Sequence, residues 1–194
     1  MRTRAPSPLA ARRGHTLVEL LAVLAILGIA SMLAMPSAEP IKQSAVAAAA
    51  TEVALALRFA QSDAIRTGNY RVVSIDAATG RLRVFGLDMT QTPPVEDTAN
   101  PVFDPIDKKI YDLALSAGAS TKGVEIASSV FRFSDGSITS QLGFAADGSP
   151  VNVAGPNPAD VKALVGTGQV QLSYGAFRRT ISVDAVTGRV TLSS

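Results

Sequence analysis

The chain has no cysteine, no tryptophan and a single histidine, and aromatics make up only 5% of its 194 residues. Without cysteine there is no disulfide scaffold, no thiolate metal site and no cysteine nucleophile. The lone imidazole, His15, excludes histidine-rich metal centres, and any serine triad would depend on it alone. A real excess of charge is also missing. The formal net charge is +2, but the first fourteen residues hold Arg2, Arg4, Arg12 and Arg13 and no acid. They take four of the 18 basic residues, leaving 14 against 16 acids, a net of −2. A chain without that head loses its basic character and much of its basis for counterion-release binding to nucleic acid. Aliphatic residues dominate the 47% hydrophobic content, enough for one ordinary domain with an appendage.

The appendage is N-terminal. From Leu17 to Met35 the chain is apolar apart from Glu19, Gly28 and Ser31, and Leu20 to Met35 passes without a charge. His15 to Met35 is 21 residues, close to the ~20 that span a bilayer as a helix. The arginine head stays cytoplasmic and the body lies outside. A secretory signal would have a shorter apolar run followed by a small-residue cleavage site, where this chain has Pro36. A twin-arginine signal at Arg12-Arg13 would not carry an acid in its apolar region. A plain anchor accounts for the length but not for Glu19, because a carboxylate in hydrocarbon costs ~2.5 kcal/mol or more. Glu19 therefore needs a partner.

The run Arg13-Gly14-His15-Thr16-Leu17-Val18-Glu19-Leu20-Leu21 resembles the class III signal of type IV prepilins and type II secretion pseudopilins. The resemblance implies cleavage by a prepilin peptidase after Gly14, methylation of the new N-terminus at His15, and a filament-assembly role for Glu19. The family usually has phenylalanine after the glycine, where this chain has His15. A cut after Gly14 creates an α-ammonium at the membrane edge, one helical turn from Glu19. An ammonium on one subunit and Glu19 on its neighbour neutralise each other in low dielectric and set the register of a helical bundle.

After Pro36 and Pro40 a helical pattern resumes. Residues 41–67 are rich in alanine, and Val53, Leu57, Ala60 and Ala64 form one apolar stripe. Glu52, Arg58, Ser62, Asp63 and Arg66 are expected largely off it, with Gly68-Asn69 as the stop. A continuous helix from His15 to Thr67 would measure ~80 Å. The rest reads as β, with strands expected at 70–76, 81–87, 109–115, 124–133, 137–145, 150–153, 169–174 and 177–184. The turn Asp76-Ala77-Ala78-Thr79-Gly80 is echoed by Asp184-Ala185-Val186-Thr187-Gly188, two hairpins in which the aspartate bonds the turn and glycine supplies a positive φ. Residues 88–107 and 154–160 are the main loops.

These patterns define an α+β fold in which a long N-terminal helix, membrane-spanning in its first half, packs on an antiparallel β-sheet domain. Taken with the resemblance, its expected parts are a cleaved leader (1–14), a transmembrane and assembly helix (15–36), an amphipathic continuation (37–68) and a periplasmic β-rich domain (69–194). Leu55 to Gly68, Asp104 to Lys109, Phe144 to Pro150 and Thr187 to Val190 extend the likeness to GspH/FimT-type minor pseudopilins and minor pilins. That resemblance implies a type IV pilin-like fold and a structural role near the tip of a type II secretion pseudopilus in the inner membrane. The partners it implies are prepilin peptidase, other major and minor pseudopilins, and secreted substrates or the outer-membrane secretin. The alternative within the same resemblance is a minor type IV pilin serving pilus assembly, DNA uptake or adhesion.

Other chemistry has little support. Asp104 and Asp107 sit in an oxygen-rich loop, but their spacing follows no EF-hand pattern and Pro105 restricts it, so a solvated loop is expected and no metal. Nucleic-acid contact would need Arg178, Arg179 and Arg189 on the last hairpin, without an aromatic platform and on a chain of negative mature charge. Neither an enzymatic constellation nor a cofactor motif is present, since His15 lies at the membrane border and the acid pair Glu96-Asp97 need not face one site.

Overall fold

The computed structural model describes residues 16–33 and 39–193. Helix α1, Leu17–Leu33, starts at a local cap: the Glu19 N–H donates to Thr16 Oγ1 (3.3 Å) and the Leu20 N–H to the Thr16 carbonyl (3.2 Å). Leu17, Val18, Leu21, Leu24, Ile26 and Ile29 are all exposed, so apolar side chains lie around the circumference of the helix. Its one hydroxyl is satisfied internally, Ser31 Oγ donating to the Leu27 carbonyl at 2.7 Å. The 17 residues of α1 rise ~26 Å. Among the described residues, no helix is long and apolar enough to cross a membrane. Residues 15 and 34–36 of the span expected from sequence lie outside the described residues. So do 34–38, where the expected single helix 15–67 would join its two halves.

Helix α2, Glu39–Thr67, begins the body. Pro40 lies in its first turn, where a missing N–H removes no helical bond. It ends at Gly68, whose φ of 68° closes the helix as its N–H reaches the Ala64 carbonyl at 2.9 Å. The expected stripe is the buried one: Val53, Leu57, Ala60 and Ala64 are each fully buried, joined by Val46, Ala49 and Ala56. Alanine on this face lets the helix lie close to the sheets, and truncating Leu57 would cost about 2–5 kcal/mol.

Two antiparallel sheets receive that face. The first contains β1 (Arg71–Asp76), β2 (Arg81–Asp88), β3 (Val95–Glu96), β4 (Asp112–Ala114), β7 (Gln141–Phe144), β8 (Pro150–Val153) and β9 (Val161–Ala163). Its order is β3-β2-β1-β7-β8-β9, with β4 also on β2. The second contains β5 (Glu125–Arg132), β6 (Ile138–Thr139), β10 (Gly168–Tyr174), β11 (Phe177–Val183) and β12 (Val190–Ser193), in the order β12-β11-β10-β5-β6. Helix α2 packs on strands of both sheets, chiefly β11, β1, β10 and β12. Phe131, Phe133 and Phe144 are the largest fully buried side chains, set in a core that is otherwise mostly aliphatic.

Several strands differ from expectation. The single strand expected at 137–145 is two, because the chain changes sheets at Ser140: β6 pairs with β5, and β7 pairs with β1. Thr139 makes the corner, its hydroxyl donating to the Gln141 carbonyl and accepting from the Gln141 N–H. The strand expected at 109–115 is reduced to β4, preceded by a lone bridge between Phe103 and Ile110. Strands β3 and β9 lie in segments expected to be irregular or left unassigned, and Thr92-Pro93 between β2 and β3 is a cis peptide.

Candidate functional site

The residues singled out at the N-terminus divide at the edge of the described region. Gly14 and His15 lie outside it. Glu19 is inside, at the third position of α1, with Thr16 as the cap. A threonine followed three residues later by glutamate is capping-box spacing, a local signal that the sequence itself carries. The helix start also favours a carboxylate there, because the unpaired N–H groups of the first turn leave partial positive charge. Glu19 is thus placed by its own helix as well as by any partner in an assembly.

The three arginines at the end of the chain do not share one surface. Arg178 pairs with Ser173 and Arg179 with Leu172, so as neighbours on β11 they point to opposite faces of the sheet. Arg179 is on the face of buried Leu172 and Ile181, and Arg178 is on the outer face. Arg189 lies beyond the far end of β11, beside Arg58 and Thr191 in a groove of about 630 Å³. Among the described residues, no group of three or more histidine, cysteine or acidic side chains is placed to hold a metal ion. The acids of the 88–107 segment serve their own turns or a neighbouring strand. Asp88 accepts from Thr90 and Gln91, Asp104 from the Ile106 N–H, and Asp107 from the Lys109 N–H, while Glu96 pairs with Arg83.

The two echoed turns behave alike. Asp76 accepts from the N–H groups of Ala78 and Thr79 and from the Thr79 hydroxyl, and Asp184 does the same with Val186 and Thr187. These bonds hold both carboxyls below the ordinary range, led by the Thr79 hydroxyl for Asp76 and the Thr187 N–H for Asp184. The second turn is also bolted to the helix: Gln61 Nε2 donates to the carbonyls of Gly148 (2.9 Å) and Thr187 (2.8 Å). One turn of helix away, Arg58 Nη2 donates to the Val190 carbonyl at 2.9 Å, fixing the edge strand β12.

A buried ion cluster went unrecognised in the sequence. Asp63, expected largely off the apolar stripe, is 6% exposed, and its carboxylate accepts from Arg66 Nη2 and Arg71 Nε, each at 2.5 Å. That burial goes beyond the expectation, and the reason is a partner from another element. Arg71, at the start of β1, folds back across Gly68 and makes burial of the acid affordable. Burial pushes the Asp63 carboxyl up, but the bonds from Arg71 and Arg66 outweigh it and hold the group below its usual value. Nearby, Phe59 stacks on Tyr111 with ring centroids 5.0 Å apart. Burial, with Asp104 and Glu52 adding to it, pushes the Tyr111 phenol up to about 12, and burial also raises Glu52.

None of the curated proteins matches this sequence. In structure the chain is similar to the type IV minor pilin FimU of Pseudomonas aeruginosa, at 15% identity over 82% of this chain and 93% of that one, with a TM-score of 0.45. It is also similar to the minor pseudopilin EpsH from the Type 2 Secretion System of Vibrio cholerae. Two structures of that protein give 16% identity over 77% of this chain and 96% of that one (TM-score 0.47), and 14% over 78% and 97% (TM-score 0.49). Residues 9–35 match the prokaryotic N-terminal methylation motif, which takes in Gly14, His15, Glu19 and all of α1. The N-terminal segment of this α+β protein therefore carries a prokaryotic N-terminal methylation motif.

Proposed function

We propose that the chain is a minor pseudopilin of a type II secretion system, of the GspH type, and acts as a structural subunit at or near the tip of a periplasmic pseudopilus. The observation that carries this reading is the coincidence of the methylation motif over residues 9–35 with a helix that starts at Leu17 and holds Glu19 in its first turn. Prepilin peptidase cuts after Gly14 and frees an α-ammonium on His15, which is then methylated. Glu19 of one subunit and the ammonium of the next compensate each other where water is scarce, and the pairing fixes the axial step of the filament. The apolar side chains around the circumference of α1 support this, because such a helix finds its contacts in lipid or against other helices. The inner membrane holds the subunit before assembly. The β-rich body then meets sibling pseudopilins, the secretin or the exported protein.

Intact-mass measurement of the membrane-extracted protein tests the reading. A chain beginning at His15 with one added methyl is expected, and Gly14→Ala should accumulate uncut. A native chain beginning elsewhere would overturn it. Deletion of the gene should abolish export and leave surface pili intact; the reverse outcome would make the protein a minor type IV pilin instead.

A further inference from the structure

One end of the body, at the edge of the core, carries a cluster that the proposed cleavage and pairing chemistry does not use. Ser173 stands opposite both Glu125 and Arg178, and Tyr174 opposite Phe177. The end of β10, the start of β5 and the Gly175-Ala176 turn therefore lie together. The first turns of α2 join them, because the Lys42 ammonium sits 5.7 Å from the centre of the Tyr174 ring. Gly123 also lies against that ring, since a Cβ there would come within 2.7 Å of it. A groove of about 600 Å³ opens here, lined by Ile41, Ala45, Ala48, Ala119, Lys122 and Tyr174 among others. Ile41 is 67% exposed.

Three properties of this end identify what it meets. An exposed aliphatic residue, an aromatic with a polar tip and lysines beside them are the combination that settles at a membrane–water boundary. The end carries Lys42, Lys122 and Arg178 against Glu39 and Glu125, a cationic balance on a chain that is anionic beyond Gly14. Finally, Ile41 follows Leu33, the last residue of α1, by eight positions, at most ~29 Å of extended chain. We propose that this end is a membrane-docking face, with Lys42, Lys122 and Arg178 on anionic phospholipid headgroups and Ile41 and Tyr174 within the headgroup layer. The inference rests on the anchored-subunit reading above and adds a resting pose to it. A docked subunit lies against the bilayer, and entry into a filament must break these contacts.

The absence of cysteine makes the test clean, because a single introduced thiol is the only site of labelling. The full-length chain, labelled with an environment-sensitive fluorophore at Ala176→Cys, is placed in nanodiscs of phosphatidylcholine with or without phosphatidylglycerol. A control label at Val186→Cys sits on the turn at the opposite end of β11, ~23 Å away along the strand. The label at 176 should shift to shorter wavelength and resist aqueous quencher only in the anionic discs, while the label at 186 stays exposed in both. Lys42→Gln with Lys122→Gln should lower the docked-to-undocked ratio about 25-fold, about fivefold per lysine. An exposed label at 176 in anionic discs would overturn the docking face alone, provided the chain co-elutes with the disc. A chain that never co-elutes would remove both the anchor and the docking face. Protection that rises with protein concentration and ignores lipid charge would assign the groove to a second chain, and that too would overturn it.

Discussion

Replacing Asp63 by asparagine separates the two arginines that hold it. The acid and Arg71 have side chains 7% and 14% exposed, whereas Arg66 is 73% exposed. Removing one partner from a buried pair costs about 3–5 kcal/mol because the other charge is left uncompensated. Asparagine keeps one acceptor and recovers part of that, so the expected loss is ~3 kcal/mol, nearly all of it through Arg71. An exposed arginine contributes at most ~1 kcal/mol, so Arg66→Ala should be close to silent. For a body of this size, 3 kcal/mol corresponds to a fall in Tm of roughly 6–12 °C, readable by circular dichroism on the full chain in detergent micelles.

The pH dependence gives an independent check with a definite sign. Asp63 is held below its ordinary value in the folded chain, so its contribution is complete above the unfolded value, near ~4. It is lost as pH falls through the depressed folded value. The gap between wild type and Asp63→Asn should be full at neutral pH and should close under strong acid. Adding Arg71→Met to Asp63→Asn should restore part of the lost stability, since it removes the orphaned charge. An Asp63→Asn chain that melts within ~2 °C of wild type at neutral pH, or a gap that persists in strong acid, would refute the reasoning.

The echoed turns provide an internal comparison. Gly80 and Gly188 have nearly equal φ, 64° and 65°, but a Cβ on Gly80 meets nothing within 4 Å, while one on Gly188 comes within 2.5 Å of Gln61 Nε2 and 2.8 Å of the Gly148 carbonyl. Gly80→Ala should therefore cost only the backbone strain, ~1–2 kcal/mol, and Gly188→Ala distinctly more in the same melts; equal losses would show that the bolt to Gln61 carries no weight. Glu19→Ala should leave trimming and membrane insertion intact but reduce co-sedimentation with sheared filaments, and unchanged incorporation would remove its proposed register role.

Repeating chemistry was legible in the sequence, and long-range compensation was not. The stripe Val53, Leu57, Ala60 and Ala64 could be read because a helix repeats every 3.6 residues and one face must be buried. The Asp76 and Asp184 turns could be read because an aspartate bonds the next few N–H groups wherever it occurs. Strands β3 and β9, at two and three residues, are too short to establish an alternating pattern, and the corner at Thr139 interrupts no hydrophobic run. The burial of Asp63 was illegible for a different reason. A charged residue beside a buried stripe reads as solvent-facing unless its partner is known, and Arg71 belongs to the next element, across the turn at Gly68.

The same distinction explains what was readable at the candidate assembly site. Glu19 stands out because it is the one acid in an apolar run, a contradiction that the run cannot resolve by itself. Thr16 and the first turn of α1 offset some of that cost locally, yet a capping position favours a carboxylate by only ~0.3–1 kcal/mol near water, less than the ~2.5 kcal/mol or more that hydrocarbon demands. Under the proposed function, an amine freed on a neighbouring chain by a cut after Gly14 would add to that local offset, and the pairing would then favour assembly over a lone anchored subunit.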